Sequence, residues 1–186
     1  MNRGSPPRAP DAHVRRADAS GQRRVIRFVG AFATLLLVFF LLSRTEYFID
    51  TVSPASIALN TGIAAVLLDL MGEDGVARGD TLYGSRLSLT IANACDAAEP
   101  LQLYAAAVLA SPAPTLLRAL GLVGGGLLIL LLNQIRIVTL YFAGVYAPRA
   151  FDLLHTEVWQ ALFIVLSISI WLLWAGWTLR IAASRA

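Results

Sequence analysis

Three stretches of this 186-residue chain are so long and so apolar that a lipid bilayer is the only solvent that suits them. Phe28 to Leu42 carries no charged residue, and with Val25 and Ile26 it reaches spanning length. A second run extends from Leu116 to about Val145, and a third from about Val158 to Leu179. In hydrocarbon every backbone N–H and C=O must find its partner within the protein, which for runs of this length means helices. Composition agrees: 57% of residues are hydrophobic and the mean hydropathy is +0.66. The expected fold is an all-α membrane bundle of about four transmembrane helices, one interfacial helix and a small extracytoplasmic β-hairpin. A chain this short makes one compact bundle without a separate soluble domain.

Seven arginines (Arg3, Arg8, Arg15, Arg16, Arg23, Arg24 and Arg27) precede the first apolar run. With Pro6, Pro7, Pro10 and Gly21 they make residues 1–24 a tail expected to be disordered. Arginine clusters can bind nucleic acid or anionic lipid, but beside a first span they chiefly hold the N-terminus in the cytoplasm, and no nucleic-acid partner is expected. Ser43-Arg44-Thr45-Glu46 does not resemble a cleavage site, so the run reads as an uncleaved anchor. The membrane domain is expected over 25–180, with 181–186 as a cytoplasmic end.

Between the first two long runs the pattern is less regular. Ser53 to Met71 has Ile57, Ile63, Val66, Leu67 and Leu70 near helical spacing, interrupted by Asn60, Thr61 and Asp69. It reads as a helix lying at the interface. Arg86, Ser88 and Thr90 then alternate with Leu87, Leu89 and Ile91, the period of a half-buried strand. Gly84-Ser85 is its expected turn and Asp80–Tyr83 the opposing strand. Leu101 to Ala110, entered through Glu99-Pro100, is expected as a short span over about 98–111. With spans at 26–42, 98–111, 116–140 and 158–179, both termini, Arg118, Arg180 and Arg185 share the cytoplasmic side. Cys95, Arg136 and His155 then share the opposite side.

Cys95 is the sole cysteine, and His155 the sole histidine outside the tail. Arg136 sits within Asn133-Gln134-Ile135-Arg136-Ile137, inside an apolar run. An arginine at membrane depth is costly and marks a functional interior or a snorkelling structural charge. A lone cysteine is often a small buried hydrophobe, and a lone histidine often an interfacial hydrogen-bonder. Their joint placement on one face points instead to acyl transfer. Cys95 would be the nucleophile, His155 its base and then the acid for the leaving amine, and Arg136 the donor to an oxyanion or substrate carboxylate. Asn133, one turn before Arg136, is expected to orient Arg136 or the substrate backbone. One cysteine and one histidine do not make a zinc site, and Gly124-Gly125-Gly126 lies within a helix, so neither metal nor cofactor is expected.

These residues carry a family resemblance. Asn93-Ala94-Cys95 after a strand, Asn133-x-x-Arg136-Ile137 within a helix and His155 before the last span resemble the exosortase/archaeosortase family, most closely the exosortase H subgroup. The resemblance covers about residues 25–180. It implies a membrane cysteine protease-transpeptidase with Cys95 as nucleophile, accompanied by Arg136 and His155. Its partners would be exported proteins whose C-termini carry a short motif, a membrane span and a basic tail, together with the lipids of the inner membrane. Many members follow the cysteine with Ser-Gly or Asn-Gly, where this chain has Asp96-Ala97. The missing glycine bears on the turn that presents the thiol. The competing reading is a non-enzymatic transporter subunit or assembly partner in which Arg136 is a structural or ligand-holding charge.

Overall fold

The computed structural model describes residues 12–91 and 95–184, with side chains from Gly21 onward. Helix α1 covers Ala12–Ser43 and α2 covers Ser53–Leu70. Three short strands follow: β1 (Val76–Arg78), β2 (Thr81–Tyr83) and β3 (Ser88–Thr90). The remaining helices are α3 (Ala98–Ala110), α4 (Thr115–Tyr146), α5 (Pro148–Leu153) and α6 (Trp159–Ala183). The all-α bundle with a small sheet is as expected from the apolar runs, and the chain is a multi-pass membrane protein. Among the described residues, four helices are long and apolar enough to cross a bilayer: Gly21–Ser43, Phe48–Leu70, Thr115–Tyr146 and Pro148–Ala183.

Several boundaries differ from expectation. The helix begins at Ala12, inside the stretch expected to be disordered, while residues 1–11 lie outside the described residues. At 13 residues α3 is about 20 Å long, short of a hydrocarbon core of about 30 Å. Segment 98–111 is therefore not one of the four long helices. Conversely, a π-helical turn at Phe48–Val52 runs into α2 and gives it spanning length. Its packing sets α2 against the sheet and the later half of α4, where Ile57, Ala64, Ala65 and Leu68 cluster with Leu82, Ile137, Val138 and Tyr141. Ser53 borders a cavity with Asp96, Asn60 meets α4, and Gly75, just past its end, runs so close to α2 that a Cβ there would overlap the Ala65 carbonyl. Elsewhere in the bundle Phe28 stacks on Trp171 at 5.5 Å, and the Trp171 indole donates to Ser111 Oγ at 3.0 Å.

Helices α3, α4 and α6 pack where glycine removes the side chain. Tyr104 lies against Gly125 and donates its hydroxyl to the Gly121 carbonyl at 2.8 Å, and the Trp174 indole lies against Gly121. A Cβ at either glycine would overlap an aromatic ring. The four-residue spacing thus admits rings from two neighbouring helices.

The sheet is an antiparallel meander, β1-β2-β3, with Val76 opposite Tyr83 and Leu82 opposite Leu89. It adds a strand to the expected hairpin. Gly84 N–H bonds the Leu87 carbonyl at 3.0 Å, so the two-residue turn is Ser85-Arg86, one position later than the sequence signal. Leu82 and Ile91 are buried while Ser88 and Thr90 are exposed, as the alternation requires. Glu73 clasps this sheet to α4. Its carboxylate accepts from Ser85 Oγ at 2.7 Å and from the Tyr141 hydroxyl at 3.0 Å, and it pairs with Arg86, which also donates to the Tyr146 hydroxyl. The bond from Ser85, with those from Tyr141 and Arg86, holds the Glu73 carboxyl below its ordinary range against the opposing effect of burial.

Candidate active site

Cys95 lies on the connection from β3 to α3, three residues before the helix. Asn93 and Ala94, which belong to the sequence motif, are outside the described residues. Asp96 prepares the helix start, its Oδ1 accepting from the Ala98 N–H at 3.0 Å. Burial pushes its carboxyl above the ordinary range, with the Ala98 bond opposing and Glu99 reinforcing the rise. Ala97 follows in the left-handed conformation, at φ 65°. This is the residue where the resembled family often has glycine, and it takes the backbone shape that glycine favours.

His155 arrives from the other end of the chain. Pro148 starts α5, and a π-helical turn at Leu154–Val158 joins α5 to α6 without a break. The segment between the second and third apolar runs is therefore helical, and its irregularity is a wider turn that contains the histidine. Such turns recur at functional sites because they displace one residue from the regular helical face. Phe151, one turn earlier, stacks on the imidazole with centroids 5.8 Å apart and planes 10° apart.

Across 60 residues of sequence, Cys95 Sγ stands 3.8 Å from His155 Nδ1 and 3.9 Å from Nε2. The near equality places the sulfur equidistant from the two ring nitrogens, with neither singled out as its partner. The two residues line a cavity of about 150 Å³ whose other walls include Leu89, Ile91, Ile137, Leu140 and Phe151. Such walls exclude water and strengthen polar interactions inside. Cys95 itself is 5% exposed.

Arg136 is brought to the same place, but behind the histidine. Its Nη2 donates to the His155 backbone carbonyl at 3.4 Å, and its guanidinium lies 5.6 Å from the Phe163 ring centroid. It borders a second cavity of about 390 Å³ beside Phe40, Glu99, Gln102, Gln160 and Phe163. The guanidinium thus stands between the thiol–imidazole cavity and a wider one opening between α1, α3 and α6.

Asn133 is fully buried and faces the interior as expected, and its Nδ2 donates to the Cys95 carbonyl at 2.9 Å. Two residues that sequence reasoning left unassigned complete this contact. Asn60 Oδ1 accepts from Asn133 Nδ2 at 3.0 Å and from Gln134 Nε2 at 2.7 Å. The sequence signal was present: Asn60 interrupts an apolar segment, and Asn133-Gln134 interrupts another. The oxygen of Asn60 is satisfied twice over, whereas Asn133 Oδ1 and Gln134 Oε1 are buried with no hydrogen-bond partner among the described residues.

Together the groups form a buried thiol, an adjacent imidazole, a fixed cation one step behind and a braced loop. That set can make and break an acyl thioester. Comparison with known protein families, with characterised proteins and with solved structures finds no match to this chain.

Proposed function

We propose that this chain is a membrane-embedded cysteine peptidase-transpeptidase of the exosortase kind, acting on the C-terminal sorting signals of exported proteins. The observation that carries the reading is the approach of Cys95 Sγ to His155 at 3.8 Å, made by the chain's sole cysteine and sole core histidine. In the proposed reaction His155 takes the thiol proton and the sulfur attacks the scissile carbonyl carbon. Collapse of the tetrahedral intermediate breaks the C–N bond, and the imidazolium returns the proton to the departing amine. The thioester then passes its acyl group to water or to an acceptor amine. Arg136 holds the His155 turn through its carbonyl and supplies positive charge to the developing oxyanion or to a substrate carboxylate.

The placement proposed is the cytoplasmic membrane with the site facing outward, supported by the arginines that precede the first apolar run at Phe28 and by Arg180 near the end of α6. The deciding experiment is co-expression with a candidate substrate ending in a motif, an apolar span and a basic tail. The native chain is expected to shorten that substrate, while Cys95→Ser and His155→Ala accumulate normally and leave it whole. Processing that persists in Cys95→Ser would remove the enzyme reading and favour a non-enzymatic membrane protein.

A further inference from the structure

We infer that Asn60 and Asn133 are positioning residues for Cys95: two buried side-chain amides, one from α2 and one from α4, grip the backbone around the thiol and set where it stands against His155. The inference rests on the nucleophile role proposed for Cys95 and adds how that role is held in place. Cys95 belongs to neither strand nor long helix, since β3 ends at Thr90 and α3 begins at Ala98. Its carbonyl is nevertheless fixed by Asn133 Nδ2 at 2.9 Å, and the next carbonyl, that of Asp96, by Asn60 Nδ2 at 3.4 Å. The two amides are themselves joined, Asn133 to Asn60 at 3.0 Å. Asn60 is braced twice more, by Gln134 at 2.7 Å and by its own bond to the Ser56 carbonyl at 2.9 Å.

Exposure of 3% for Asn60, 0% for Asn133 and 5% for Gln134 keeps water from substituting for these bonds. Asparagine suits the task because one planar group both accepts and donates. Asn60 takes two donors from α4 on its oxygen, and so aims its nitrogen at the loop. The bland account is that these amides merely glue α2 to α4. Gln134 separates the two accounts, because among the described residues it makes the same kind of α2–α4 bond and no hydrogen bond to the loop.

As the sole thiol, Cys95 reports on itself. The full-length protein in detergent micelles is alkylated with iodoacetamide across a range of pH, with His155→Ala as the reference and thermal unfolding measured in parallel. Asn133→Leu and Asn60→Leu are expected to move the midpoint of the alkylation profile by about one pH unit toward that of His155→Ala, about a tenfold change in thiolate fraction. Gln134→Leu, which removes one of the two donors to Asn60 and leaves the Asn133 bond to the Cys95 carbonyl, is expected to melt at a lower temperature and to move the midpoint by less than Asn133→Leu or Asn60→Leu. If the leucine variants do not accumulate, Asn133→Gln and Asn60→Gln, which displace the amide by one methylene, are read by the same criterion. A native midpoint in the Asn60 and Asn133 variants, or an equal displacement in Gln134→Leu, would overturn the positioning role and leave only helix glue. If His155→Ala itself leaves the native profile unmoved, the thiol–imidazole pairing fails, and the proposed function falls with it.

Discussion

Replacing Gly125 by alanine should destabilise the bundle, although alanine is the better helix former. The new methyl would overlap the Tyr104 ring at its hydroxyl, Cζ and Cε1. Tyr104 is 2% exposed and its hydroxyl is tied to the Gly121 carbonyl, so either its ring or α3 must move. Overpacking of this kind costs about 1–3 kcal/mol. A moved ring also loses the 2.8 Å bond to the Gly121 carbonyl, a further cost of about 1 kcal/mol. Better helix propensity offsets about 1 kcal/mol. The net loss is about 2 kcal/mol, or about 4–8 °C in melting temperature for a chain of this size. Gly124→Ala is the control, because nothing lies within 4 Å of its would-be Cβ. That variant should gain slightly. Circular dichroism melts in one detergent measure both, and a double-mutant cycle with Tyr104→Phe adds a second check. The hydroxyl is the nearest atom to the new methyl, so removing it should cost less in the Gly125→Ala background than in the native one. Equal melting temperatures for Gly124→Ala and Gly125→Ala would refute the packing argument.

Ala97→Gly should leave the melting temperature nearly unchanged, because relief of about 1 kcal/mol at a left-handed residue offsets the loss of a buried methyl, whereas Ala97→Val should sharply lower the folded yield on size-exclusion chromatography. Glu73 has its folded pKa depressed, so its stabilisation is fully present above the ordinary carboxylate value and is lost as pH falls through the lower folded one. Melts taken from neutral to acid pH should therefore converge between native and Glu73→Gln, and parallel curves would contradict the clasp. Arg136→Lys should cut cleavage of a validated substrate by about a hundredfold or more at normal abundance, since lysine loses the planar fork. Near-native cleavage would reduce Arg136 to a structural charge. In a Cys95→Ala background, Ser85→Cys on the sheet's turn should label from outside intact cells with an impermeant maleimide, and protection there would reverse the proposed orientation.

Much of this geometry is legible in the sequence where a residue is chemically singular. One thiol, one core imidazole and one arginine at membrane depth are conspicuous in an apolar chain; the thiol and imidazole line one cavity, and the arginine meets the backbone of the histidine from a neighbouring one. The strand before Cys95 is legible because alternation over Arg86–Ile91 has a period that helices do not share. What escapes is whatever depends on length or partner. Segment 98–111 is as apolar as a span, but Ser111 and Pro112 stop it after 13 residues. Asn60 looks like solvent-facing polarity on an interfacial helix. Its role needs Asn133 and Gln134, more than 70 positions away, and pairings at that range leave no local periodicity. The π-turn at His155 is equally silent, since no residue type marks it.

That turn sets a phase. A π-helical turn holds one residue more than the α-helical turn it replaces, and each residue advances a helix by about 100°. Shortening Leu154–Val158 by one residue would let α5 and α6 run on as a regular helix. Trp159 and Phe163 on α6 could keep their seats, yet Phe151 and everything before it would turn about a quarter of a circle around the axis. The histidine would lose either its stacking partner or its view of the sulfur. Chain length between Phe151 and Trp159 is therefore as much a part of the site as the identity of the residue at position 155, and an alignment gap there would break the site while leaving every named side chain in place.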